Sequence, residues 1–174
     1  GLEARRESYS ITAGEPDSWR NGGVLLPNGS PTPSGAQVFP GFRPSNEVDE
    51  SRTAVGAYVD VEANLTEKLL GSVAARAEDY SDFGSSFAGK LALRYDFTPA
   101  FALRGAVQNG FRAPSLQQQY FTTTSTNFIN VPGQGQVPFE ITTFPATDPV
   151  AAALGAQPLD AEESLNFSLG AVMR

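Results

Sequence analysis

The chain contains no cysteine and no histidine. A disulfide scaffold is therefore impossible, and Cys/His zinc sites and catalysis by thiol or imidazole are excluded. Basic charge is also scarce. The 12 Lys and Arg residues stand against 19 Asp and Glu, giving a formal net charge of −7 and a pI near 4.5. Those basic residues are dispersed, and phosphate contacts need clustered Lys and Arg, so no nucleic-acid partner is expected. No run approaches the ~18–20 apolar residues of a membrane-spanning helix. A membrane β-barrel stays open, because its strands need only about 9–11 residues and hide in alternating patterns.

What is present in quantity is turn chemistry: 17 glycines and 13 prolines in 174 residues. At 40% hydrophobic residues the chain is nevertheless not of disordered composition. The turn formers concentrate in two segments, expected as long loops over 14–51 and 112–161. The first holds Asn21-Gly22-Gly23 and Pro27-Asn28-Gly29-Ser30-Pro31-Thr32-Pro33. The second holds Gln117-Gln118-Gln119, Pro132-Gly133-Gln134-Gly135 and several aromatics, with one helical turn possible over Asp148–Leu154. Pro lacks a backbone donor and Gly carries the largest ordering cost, which makes such stretches loops.

Elsewhere the period is two. Between 52 and 65, Val55, Ala57, Val59, Val61 and Leu65 alternate with Gly56, Tyr58, Asp60, Glu62 and Asn64. The same alternation marks strands near 69–79, 87–97, 101–111 and 163–174, with another near 2–13. Tyr80–Ser86 reads as a polar loop, Asn64–Lys68 and Thr98–Ala100 as short turns. The expected fold is all-β, an antiparallel meander of about six strands.

Alternation alone leaves two settings open for the apolar face: the core of a soluble β module, glycan-binding or adhesive, or the lipid side of a barrel. Three details favour the barrel. Phe87 and Phe97 flank Leu91 and Leu93, and Phe101 and Phe111 flank Leu103 and Val107. Ten residues at ~3.3 Å each, tilted about 40°, span roughly the 25 Å of an outer-membrane apolar band with its aromatic girdles. The opposite face carries Asp60, Glu62, Arg76, Glu78, Lys90, Arg94, Asp96 and Arg104, a mixed ladder suited to a wet lumen. Connections also alternate between short and long, as periplasmic turns and extracellular loops do.

Gly110-Phe111-Arg112-Ala113-Pro114-Ser115 closes a strand and opens a long loop. It resembles the GFRAPS-type motif in the barrel of TonB-dependent outer-membrane receptors. Tyr95-Asp96-Phe97-Thr98-Pro99 is similar to the short periplasmic turns of that family. Pro158-Leu159-Asp160-Ala161-Glu162-Glu163-Ser164-Leu165-Asn166 resembles its return strand, and Leu2-Glu3-Ala4-Arg5-Arg6-Glu7-Ser8 a strand that opens an extracellular loop. In order and spacing these motifs cover most of the chain. The resemblance implies part of a transmembrane β-barrel with two long extracellular loops, in the outer membrane of a Gram-negative bacterium. It implies contact with outer-membrane lipid and uptake of a scarce nutrient such as a ferric siderophore. The family's barrel has about 22 strands around a plug. Here about six strands are expected over 1–174, with no recognisable plug domain and no energy-coupling box. An internal piece of a barrel is therefore expected, meeting a TonB-type energy-coupling protein only through the missing plug.

No catalytic constellation, metal site or cofactor is expected. Glu78, Asp79 and Asp82 read as a solvated loop rather than a Ca²⁺ site. Gly133-Gln134-Gly135 lacks the third glycine and the strand–turn–helix frame of a nucleotide fingerprint. Binding residues concentrate on loops held by a rigid scaffold. The candidate ligand residues are therefore Trp19 and Arg20 in the first loop, with Arg112, Gln117, Tyr120 and Phe121 in the second. Aromatics with amides suit a siderophore, a cobalamin-like ligand or a glycan. Arg112 is also expected to anchor its loop base through its fork of donors.

Overall fold

A computed structural model describes residues 1–36 and 39–173. The chain forms two compact units. One comprises Gly1–Glu7, Arg52–Pro114 and Leu159–Arg174; the other comprises Ser8–Ser51 and Ser115–Pro158.

The first unit is built on a six-stranded sheet in the order β1-β2-β3-β4-β5-β8. Its strands are β1 (Leu2–Ile11), β2 (Val48–Asn64), β3 (Leu69–Tyr80), β4 (Gly84–Thr98), β5 (Phe101–Arg112) and β8 (Glu162–Met173). The pairings from β2 through β3, β4 and β5 to β8 are antiparallel. Each strand of this sheet lies near one read from the alternation, and the expected antiparallel meander is present. The sequence predicts two ends less well. β2 begins at Val48, inside the expected first loop. The expected polar loop Tyr80–Ser86 is a tight hairpin, because Tyr80 pairs with Gly84 and the Ser85 hydroxyl donates to Asp79 at 2.7 Å.

Register turns alternation into belts. Val61, Val73, Leu91, Val107 and Phe167 form one row across five strands. One residue over, Glu62, Ser72, Ala92, Ala106 and Ser168 form the opposite row. The apolar row is uncovered: Leu91 is 47% exposed and Phe167 75%. A soluble β module requires Val59, Leu91 and Leu103 to be its core, and all three are exposed. Full burial of such a side chain is worth about 1.5–3 kcal/mol, and at this exposure each forgoes roughly half of it. At the short β4–β5 turn, Tyr95, Phe97 and Phe101 form an aromatic cluster with centroids 4.8 and 5.8 Å apart.

The outer end of β5 departs from expectation. The β4–β5 ladder stops at Lys90–Gln108. Beyond it the Asn109 carboxamide takes over, accepting from Gly89 N at 2.7 Å and donating to Phe87 O at 2.9 Å. Phe111, expected to flank the apolar face, lies edge-on to Tyr80 at 6.3 Å instead.

The second unit holds a separate hairpin of β6 (Thr123–Val131) and β7 (Gly135–Thr143). The 112–161 segment, expected to be irregular, is therefore partly ordered. Two single-turn helices accompany the hairpin: α1 (Leu116–Tyr120) and α2 (Pro149–Ala153). α2 stands at the helical turn expected over Asp148–Leu154, started by the Asp148 carboxylate accepting from Val150 N. Gly133-Gln134-Gly135 lies at the hairpin turn, with Gly133 in the turn at φ 82° and Gly135 opening β7 at φ 74°.

Candidate functional site

On the charged face of the first unit, β1, β2 and β3 share one network. Arg76 binds both Glu3, at 2.7 Å, and Glu78. The Tyr80 hydroxyl donates to Glu78 at 2.7 Å and accepts from Arg5 at 3.3 Å. Arg5 also lies 3.3 Å from Glu7, whose second oxygen accepts from Arg52 at 2.5 Å. Signs alternate along this chain of contacts, so each charge is met by its opposite. The β4–β5 part of the face differs. Arg94 and Arg104 stand directly opposite each other, and only Arg94 is paired among the described residues, with Asp96 at 2.8 Å.

The second unit is held by contacts between its two chain segments. Arg43 donates through both terminal nitrogens to Glu140, at 2.6 and 2.8 Å, and the Ser34 hydroxyl adds a third bond at 2.5 Å. The Arg43 guanidinium, then the Ser34 hydroxyl, hold the Glu140 carboxyl down at about 2. Glu140 in turn holds the Arg43 guanidinium protonated beyond its ordinary range. Asn46 is 1% exposed. It accepts from Arg43 N at 3.2 Å and donates to Thr122 at 3.4 Å. Phe42 and Phe121 meet edge-on at 6.3 Å.

The six residues expected to bind ligand fall in different settings. Trp19 donates its indole N–H to Gly14 O at 3.1 Å, which ties it to its own loop. Arg20 is exposed and pairs with Asp17 at 2.5 Å. Gln117 is exposed on α1, Tyr120 half-buried at its end, and Phe121 half-buried against Phe42. α1 starts at Ser115, whose hydroxyl accepts from Gln118 N while the Gln118 side chain accepts from Ser115 N. Arg112 belongs to the first unit and binds Glu162 of β8 at 2.7 Å in an exposed pair. Arg43, Asn46, Arg52 and Glu140 are absent from the sequence-derived set. Arg43 and Glu140 lie 97 residues apart, and no local pattern marks such a pair.

Among the described residues, no group of three or more Asp and Glu is placed to hold a metal ion. The arrangement offers a wall with one apolar and one charged face, and a folded loop unit with amide and aromatic groups at its surface.

Comparison with known proteins finds a match to the TonB dependent receptor-like beta-barrel family over residues 5–174. The vitamin B12 transporter BtuB of Vibrio cholerae serotype O1 is 35% identical over 74 residues, which cover 42% of this chain and 12% of the transporter. Among solved structures, a mutant of the ferric enterobactin receptor PfeA from Pseudomonas aeruginosa aligns over 99% of this chain and 21% of its own, with a TM-score of 0.59 at 16% identity. The siderophore receptor PirA from Acinetobacter baumannii aligns over the same shares, with a TM-score of 0.59 at 17% identity. At such identities the structures establish a shared fold. The chain spans about an eighth of the transporter and about a fifth of each receptor.

Proposed function

The chain belongs to the TonB-dependent receptor-like β-barrel family, and from that premise we propose that it is wall and extracellular loop of an outer-membrane transporter for a scarce nutrient. One observation carries the proposal. The row Val61, Val73, Leu91 and Phe167 stands exposed with half-buried Val107 among it, while the opposite face carries charged side chains, with Arg76 bound to Glu3 and Glu78 and Arg94 to Asp96. Such a sheet fits lipid on one side and a wet lumen on the other. A soluble protein needs the reverse.

Uptake of a ferric siderophore is the reading favoured here. It is supported by the fold shared with two siderophore receptors and by the loop unit's aromatic and amide groups. Transport is energised by a TonB-type protein of the inner membrane acting on a plug domain that lies outside these residues. The partial identity to a vitamin B12 transporter supports a cobalamin as the competing cargo.

Deleting the gene in its source bacterium decides between them. Growth is measured under iron limitation with ferric enterobactin supplied, and separately under cobalamin limitation with vitamin B12 supplied. Loss of growth confined to the iron condition is the expected result. Loss confined to the cobalamin condition moves the cargo to B12. Unimpaired growth in both, with the protein in the soluble fraction, overturns the transporter reading.

A further inference from the structure

We propose that Arg52 is the positioning residue of the second extracellular loop: it fixes the point at which the chain leaves the barrel wall. The side chain is 5% exposed, the most deeply buried cation of the first unit's ion pairs. Its Nε donates to Glu7 of β1 at 2.5 Å. Its Nη1 donates to Asp82, in the β3–β4 turn, at 3.4 Å and to the Pro114 carbonyl, just past β5, at 2.6 Å. Its guanidinium carbon lies 5.2 Å from the centroid of the Tyr80 ring, and Tyr80 is packed by Phe83 and Phe111.

One planar fork therefore gathers four chain segments at the end of the sheet from which both long connections leave. Lysine has no such geometry, because its ammonium is a single point donor. The bond to Pro114 is the informative one. Its acceptor is a backbone carbonyl that has left the β5–β8 ladder, whose last rung is Arg112–Glu162. A bond to that carbonyl does nothing for strand pairing. It holds the residue directly before Ser115, at the point where the chain leaves the first unit. Arg112, expected to anchor its loop base, joins the two ends of that loop through an exposed pair with Glu162, but among the described residues it makes no bond to the chain just past β5. The role in ligand capture rests on the transporter reading; the anchor itself does not.

Hydrogen exchange followed by mass spectrometry tests the anchor, on the full-length protein in detergent, comparing wild type with Arg52→Gln, Arg52→Lys and Arg112→Gln. Arg52→Gln is expected to speed exchange across 115–121 at least tenfold while 70–78 and 89–95 keep wild-type rates. Arg52→Lys gives an intermediate acceleration and keeps the proposal testable should the glutamine variant fail to fold. Arg112→Gln leaves 115–121 unchanged. Wild-type exchange across 115–121 in both Arg52 variants overturns the proposal. So does equal loosening of 70–78, which makes Arg52 a general wall residue. Failure of the transporter reading shows separately, as wild-type protein outside the outer membrane.

Discussion

Single residues decide which side of a strand meets which medium. Leu91 and Ala92 are neighbours with opposite destinations, in rows that register fixes across five strands. Arginine at Leu91 is expected to cost about 2–4 kcal/mol of stability in the bilayer, and at Ala92 much less. Equilibrium folding into lipid vesicles measures both, and equal costs count against the assigned faces. At Glu140 the expected dependence is on pH. Its folded pKa, about 2, lies below the ordinary carboxylate value. A depressed pKa means that the unfolded state binds the proton first. The Arg43–Glu140 contribution is therefore complete above the ordinary carboxylate range and is lost as pH falls from there towards about 2. Trp19, the only tryptophan of the chain, sits in the same unit and reports its melting. The midpoint should fall between pH 5 and pH 2.5 in wild type and stay flatter in Glu140→Gln.

Elements were legible to different degrees. The strands of the meander follow from alternation, because a period of two admits one facing per register. The β6–β7 hairpin was not, although Thr123–Val131 is rich in β-branched residues. Its flanking Pro and Gly residues outweighed that signal, and those glycines lie at the turn. A Cβ at Gly133 meets no heavy atom within 4 Å, so the cost there is conformational alone. Gly133→Ala should destabilise the hairpin by about 1–2 kcal/mol, seen as faster exchange at the amides of 123–131. Asn109 is the other local device. Replacing it by Ala removes two bonds to β4, each contributing roughly 0.5–1.5 kcal/mol. The Gly89 amide should then exchange faster while the Lys90–Gln108 rung holds; unchanged exchange at Gly89 rejects the substitute-ladder account.

For the whole molecule, the governing fact is an apolar row that stands exposed on the sheet of the first unit. Sheet edges and uncovered apolar rows promote mispairing in water. The 174-residue chain by itself should aggregate in plain buffer and stay dispersed in detergent, with light scattering as the measurement. A monodisperse, cooperatively melting species without detergent contradicts the wall assignment.

The sequence by itself determined the strands of the meander, their alternating faces and the family, because each is encoded within a few neighbouring residues: alternation, turn formers, and the run Gly110–Ser115. Only the tertiary structure decided which charges pair and which residues anchor the loops. Arg52 reaches Pro114 across 62 residues and Arg43 reaches Glu140 across 97. Contacts at such separations leave no local spacing to read. They exist because folding brings distant segments to one place, where a buried guanidinium must find acceptors or remain unsatisfied.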